Sequence, residues 1–142
     1  MIDKHTMYFL GPRVQVIEFC GDVDVSQMRE LWGLSGGYGS HTVAMVRDMK
    51  KLGKVGRQAR KVLAQEGLQG LGEPNAELRV YIVNVNVLKR ALVKMAHAAM
   101  RLATRQEVTL IMSASLDEAL AMAQQYAQDY DREHGPVRAS AR

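Results

Sequence analysis

A single α/β domain with a mostly parallel sheet is the fold class this sequence predicts, and three observations carry the prediction. Short runs rich in β-branched and aromatic residues alternate with longer segments of helical periodicity. A Gly-Pro pair separates the first two runs, so the sheet should open with a hairpin. The chain has 142 residues, the size of one domain, and its 47% hydrophobic content is ample for a core. The resulting order is β-β-α-β-α-β-α-β-α, with a sheet of four to five strands and about four helices.

Taken in order, residues 7–10 and 14–20 read as two antiparallel strands joined through Gly11-Pro12, and Gly21-Asp22 is expected to end the second. Asp24 can cap a short helix carrying Val25, Met28, Leu31 and Trp32 at three-to-four spacing, with Gln27 placed for the return contact of a capping box. Residues 34–40, LSGGYGS, read as a glycine-rich connection. Residues 42–66 then give a short strand with Val43, Met45 and Val46 inside, closed by Asp48, followed by a basic loop and a helix. Gly67, Gly70, Gly72 and Pro74 end that helix and delay the next strand.

LRVYIVN, residues 78–84, is the strongest β signal and belongs in the middle of the sheet. Asn84 and Asn86 are alternative caps for a long helix to about residue 104, and residues 107–112 form the next strand. Ser115 with Glu118 makes a second capping box. It opens a last helix with Leu116, Ala119, Leu120, Ala123, Tyr126, Ala127 and Tyr130 in one buried stripe. The domain is therefore expected over residues 1–130, with residues 131–142 a basic, disordered tail.

Composition narrows the function classes. A formal charge of +4 and a pI near 9.4 favour anionic partners. Nucleic acid is not indicated, because aromatics are sparse and no recognised motif interleaves them with the cations. Cys20 is the sole cysteine, which excludes an intrachain disulfide and suits a reducing compartment. With no signal-peptide pattern and no apolar run long enough to span a bilayer, the expectation is a cytoplasmic protein.

Catalytic motifs do not assemble. The Gly-Lys pair at Gly53-Lys54 lacks the first glycine and the final hydroxyl residue of a phosphate loop. Gly33, Gly36, Gly37 and Gly39 follow a helix, whereas a dinucleotide fingerprint follows a strand. His5, His41, His97 and His134 are scattered without a second cysteine, so neither a metal nor a cofactor is expected. Asp22 and Asp24 are explained as turn and cap residues. The expectation is a non-enzymatic chain.

Two surfaces remain as candidates. Arg47, Lys50, Lys51, Lys54, Arg57, Arg60 and Lys61 fall within fifteen residues that hold one acid, Asp48. Such a density of like charge is either a solvated face or a site for an anionic partner. On the long helix, Leu88, Ala91, Leu92, Met95, Ala99 and Leu102 are expected to face the sheet, and Arg90, Lys94, His97, Arg101 and Arg105 to face solvent. Val93, Ala96, Met100 and Ala103 widen the apolar arc between them, either as ordinary packing or as a self-association or ligand surface.

The order of elements and the text of residues 42–66, with VAMVRDM ending in Asp48, resemble the STAS domain of bacterial anti-sigma-factor antagonists and its SpoIIAA-like relatives. RVYIVNVNVLKRALVKMAHAAMRLA and EVTLIMSASLDEALAMAQQY look like that family's later strand-helix repeats. The resemblance covers residues 7–130 and implies a protein-interaction or regulatory module that binds a protein partner or itself. The alternative it implies is a small-molecule or lipid-binding domain with Val93, Met95 and Met100 lining a pocket. Where switch members of the family carry a phosphoacceptor serine, this chain has Gly56, Arg57 and Gln58, so serine phosphorylation there is not expected.

Overall fold

The computed structural model describes residues 5–28, 30, 41–66, 73, 75–104 and 107–137. Five strands form one sheet in the order β1-β2-β3-β4-β5, which is also their order in the chain. They are β1 (Thr6–Leu10), β2 (Val14–Val23), β3 (Ala44–Val55), β4 (Leu78–Val83) and β5 (Val108–Ser113). The first pair is antiparallel and every later pair parallel, so the opening hairpin and the mostly parallel sheet both stand. Helix α1 (Arg57–Glu66) joins β3 to β4, α2 (Val87–Thr104) joins β4 to β5, and α3 (Leu116–His134) follows β5. Residues 25–28 add a helical turn between β2 and β3.

Strands laid down in sequence by crossovers of one hand place all the crossover helices on one face. The two cores agree. Met28, Ala59 and Val93 pack with Met45, Met49, Leu78, Val80, Ile82 and Val108 on that face. Ala119, Ala123 and Ala127 of α3 pack with Val14, Val16, Ala44, Val46, Tyr81 and Val83 on the other. The small alanines let α3 lie close to the sheet, and its Ser115 cap accepts from the Glu118 amide at 3.1 Å. Asp24 and Gln27 exchange the reciprocal bonds of a capping box at 2.8 and 3.0 Å. Asn86, not Asn84, caps α2, accepting from the Lys89 amide at 2.8 Å. No helix among the described residues is long and apolar enough to cross a membrane.

Several expected boundaries move. β2 continues through Gly21 and Asp22 to Val23, and β3 continues past Asp48 to Val55. The sequence hid both because lysines and glycines dilute the apolar alternation. On α2, Met95 is 67% exposed and Ala91 is exposed, while Val93 packs on the core and the His97 ring nitrogen Nε2 bonds the Val108 carbonyl at 2.7 Å. The sheet-facing line therefore runs through Val93 and His97, a rotation away from the expected one. α3 runs one turn beyond the expected boundary at Tyr130, to His134. The glycine-rich connection at residues 34–40, Leu31, Trp32, residues 67–72 and the last five residues lie outside the described residues.

That extra turn is held by Arg13, which follows the β1–β2 turn and is 4% exposed. Its Nε donates to Asp131 Oδ1 at 2.9 Å, Nη1 to the His41 carbonyl at 3.1 Å, and Nη2 to the Gly135 carbonyl at 3.3 Å. Nη1 also pairs with Glu73 Oε2 at 3.2 Å, and the guanidinium lies 4.7 Å from the centre of the Tyr130 ring. One side chain thus joins the hairpin, the entry to β3, Glu73 and the end of α3. Truncation removes the donor to the Asp131 carboxylate and to two carbonyls and one of the cations beside Glu73, so Arg13→Ala should lower the unfolding free energy by about 3 kcal/mol. Urea denaturation checks this, and a loss below about 1 kcal/mol would contradict it.

Candidate functional site

β3 is twice as long as β4, and the difference builds the site. Pairing of β3 with β4 ends at Asp48↔Val83, whereas pairing with β2 goes on to Val23↔Val55. Residues 49–55 therefore leave the sheet as a two-stranded parallel ribbon, at the edge where its parallel strands end. The ribbon is irregular, with register shifts between Glu18 and Cys20 and between Gly21 and Val23. Met49 and Leu52 turn into the core and anchor it.

Two carboxylates fix its path. Asp48 Oδ1 accepts from the Lys50 amide at 3.0 Å and from Asn84 Nδ2 at 2.9 Å, with Asn84 in the left-handed region at φ 60. Asp22 Oδ1 accepts from the Lys54 amide at 2.7 Å. That approach needs a glycine: a Cβ on Gly53 would stand 2.1 Å from Asp22 Oδ1 and 3.0 Å from the Asp22 nitrogen. On the other flank, Lys89 Nζ donates to the Met49 carbonyl at 3.1 Å. Glu18 sits beside Asp48 in register, and Tyr8 bonds Glu18. Burial raises the Tyr8 pKa first, and the charges of Glu18 and Asp48 raise it further.

Lys50, Lys51 and Lys54 are exposed on the ribbon, and Arg57, Arg60 and Lys61 are exposed on the helix that follows. The six follow one another along the ribbon and the first two turns of the helix that continues it. Among the described residues none of them forms an ion pair. Asp48, expected with them, sits at the ribbon's base with one oxygen committed to Lys50 and Asn84. Arg57 and Arg60 also occupy the first turn of α1, which has no acid. Cations there oppose the helix dipole, at roughly 0.3–1 kcal/mol each.

Arg47 does not share this surface, although it belongs to the same run of sequence. It is 6% exposed, on the opposite side of β3 from Asp48, and it donates to the Val46 carbonyl at 3.1 Å and to Gln15 Oε1. Burial lowers its pKa to about 9. The folding cost of that buried charge is present in full below about pH 9 and is relieved as pH rises from there toward the ordinary arginine range. Strand alternation puts Arg47 on the side of Met45, whose Sδ its Nη2 approaches at 3.3 Å, and so turns it inward.

Other expectations fall elsewhere. His41 pairs with Glu73 Oε2 at 3.0 Å at the opposite end of the sheet from Asp48. Val93 packs against the core, and the side chains of Ala96, Met100 and Ala103 lie outside the described residues. Among the described residues no group of three or more histidines, cysteines or carboxylates is arranged to hold a metal. No protein-family model matches the chain, and no curated protein matches it in sequence.

The ribbon's dependence on close approach is testable with two glycines. Gly53→Ala must displace Asp22 and should cost about 1–3 kcal/mol. Gly56→Ala meets nothing within 4 Å and should change stability by less than about 1 kcal/mol. Equal losses for the two variants in urea denaturation would contradict the geometry.

Proposed function

We propose that this chain is a non-enzymatic, STAS-like interaction module whose ribbon and α1 together bind an acidic surface on a protein partner. One observation carries the reading. Six exposed cations are gathered without ion-pair partners among the described residues, two of them in the helix turn where a carboxylate would stabilise the fold and they do not. The arrangement works against stability, and an anionic partner would remove both the mutual repulsion and the dipole penalty.

The order of elements, the opening hairpin and the helix following the ribbon support the STAS-like part of the proposal. In that reading Arg57 occupies the position of a phosphoacceptor serine, so its contact with a partner is constitutive and independent of a kinase. An acidic protein surface suits the ribbon better than nucleic acid does, because residues 50–61 include no aromatic side chain to stack on bases.

The test is affinity capture from cells that express the chain natively, with captured proteins identified by mass spectrometry. The wild type should retain an acidic partner that Lys54→Glu/Arg57→Glu loses. Capture that survives the double reversal would overturn the assignment of this surface.

A further inference from the structure

A second surface, independent of the ribbon, lies at the far edge of the sheet. β5 ends the strand order, and its sequence VTLIMS holds no charge, no proline and no glycine. Its register against β4 runs from Val108 to Ser113 without a bulge. Edge strands normally carry one of those features, because a regular uncharged edge invites another strand.

Backbone alternation shows which groups are available. The Leu78 amide donates to the Glu107 carbonyl at 2.8 Å, so Glu107 faces β4 and the peptide groups of Val108, Leu110 and Met112 turn outward. His97 Nε2 already meets the Val108 carbonyl at 2.7 Å. Among the described residues, the amides and carbonyls of Leu110 and Met112 have no such partner. Met112 is itself 37% exposed.

The charge beside this edge says what fits. At about 100° per residue, Arg90, Lys94 and Arg101 lie on the same flank of α2 as His97, the side turned toward β5. All three are exposed, and among the described residues none is in an ion pair. A second copy joined through a two-fold axis at β5 would set two such cationic flanks side by side, which disfavours self-pairing. At the other edge of the sheet, Tyr8 of β1 bonds the Glu18 carboxylate, so an acidic segment is repelled there.

We infer that the free edge of β5 accepts an extended acidic segment of a partner protein as a sixth strand. The outward groups of Leu110 and Met112 form the ladder. Arg90, Lys94 and Arg101 hold the carboxylates that alternate onto the α2 face of the added strand.

The probe is a short peptide of alternating Glu and Val, compared with its Lys and Val counterpart, added to the full chain while amide hydrogen exchange is read residue by residue. The acidic peptide should slow exchange at Leu110 and Met112 and the basic one should not. Arg90→Glu/Lys94→Glu should weaken the acidic peptide at least about tenfold. Leu110→Pro, which removes an outward amide and no ladder bond, should abolish the protection; if that variant does not fold, the charge reversal decides alone. Unchanged exchange at Leu110 and Met112, protection at β1 instead, equal binding of both peptides, or a dimer that protects β5 without peptide would each overturn the inference.

Discussion

The pairing of β3 with β2 beyond the last residue of β4 is the constraint on which the rest of this structure depends. Seven residues of β3, Met49 to Val55, have a neighbour on one side only, and they keep strand geometry through a few specific contacts. Met49 and Leu52 are buried below, Asp48 and Asp22 bond the amides of Lys50 and Lys54, and Gly53 leaves room for Asp22. Because the ribbon is pinned, α1 begins well outside the sheet, and its first turn joins the ribbon's lysines. A loop of the same composition would scatter those charges; a strand and a helix fix their spacing.

The two ends of the sheet use charge in opposite ways. Where the parallel strands begin, Arg13 is buried among Asp131, Glu73, two carbonyls and the Tyr130 ring, and the charges there tie chain segments together. Nearby, Arg79 pairs with Glu77 at 3.2 Å and covers the Tyr126 ring at 4.0 Å, while the Tyr126 hydroxyl donates to the Glu77 carbonyl at 2.6 Å. Burial lifts the pKa of that hydroxyl to about 12, as expected of a phenol kept as a donor inside the fold. Where the parallel strands end, the cations of the ribbon and α1 are exposed without ion pairs among the described residues. Paired charges stabilise; exposed unpaired ones leave interaction energy for something outside the chain.

Much of this was legible in the sequence, and the reasons differ by element. Both capping boxes were readable because their chemistry is local: Asp24 with Gln27 and Ser115 with Glu118 meet three residues apart. The hairpin, β4 and α3 were equally plain from turn residues, β-branched content and a clean stripe. The ribbon was not, because Lys50, Lys51 and Lys54 look like loop residues until β2 is seen beside them. The rotation of α2 was hidden by its composition, since apolar residues occur around most of its circumference and only the sheet decides that Val93 faces inward and Met95 outward. Arg13 gave no local signal, as its partners lie 28 to 122 residues away.

The fixed spacing of the cations depends on Lys50, Lys51 and Lys54 standing on a strand. The most direct measurement is amide exchange across residues 44–55 of the isolated chain, monitored by NMR. A continuous strand predicts that ladder-bonded amides in residues 49–55 exchange slowly, within about two orders of magnitude of those in residues 44–48. Exchange at unstructured rates from residue 49 onward would show a loop in place of a ribbon, and the fixed cationic surface would go with it.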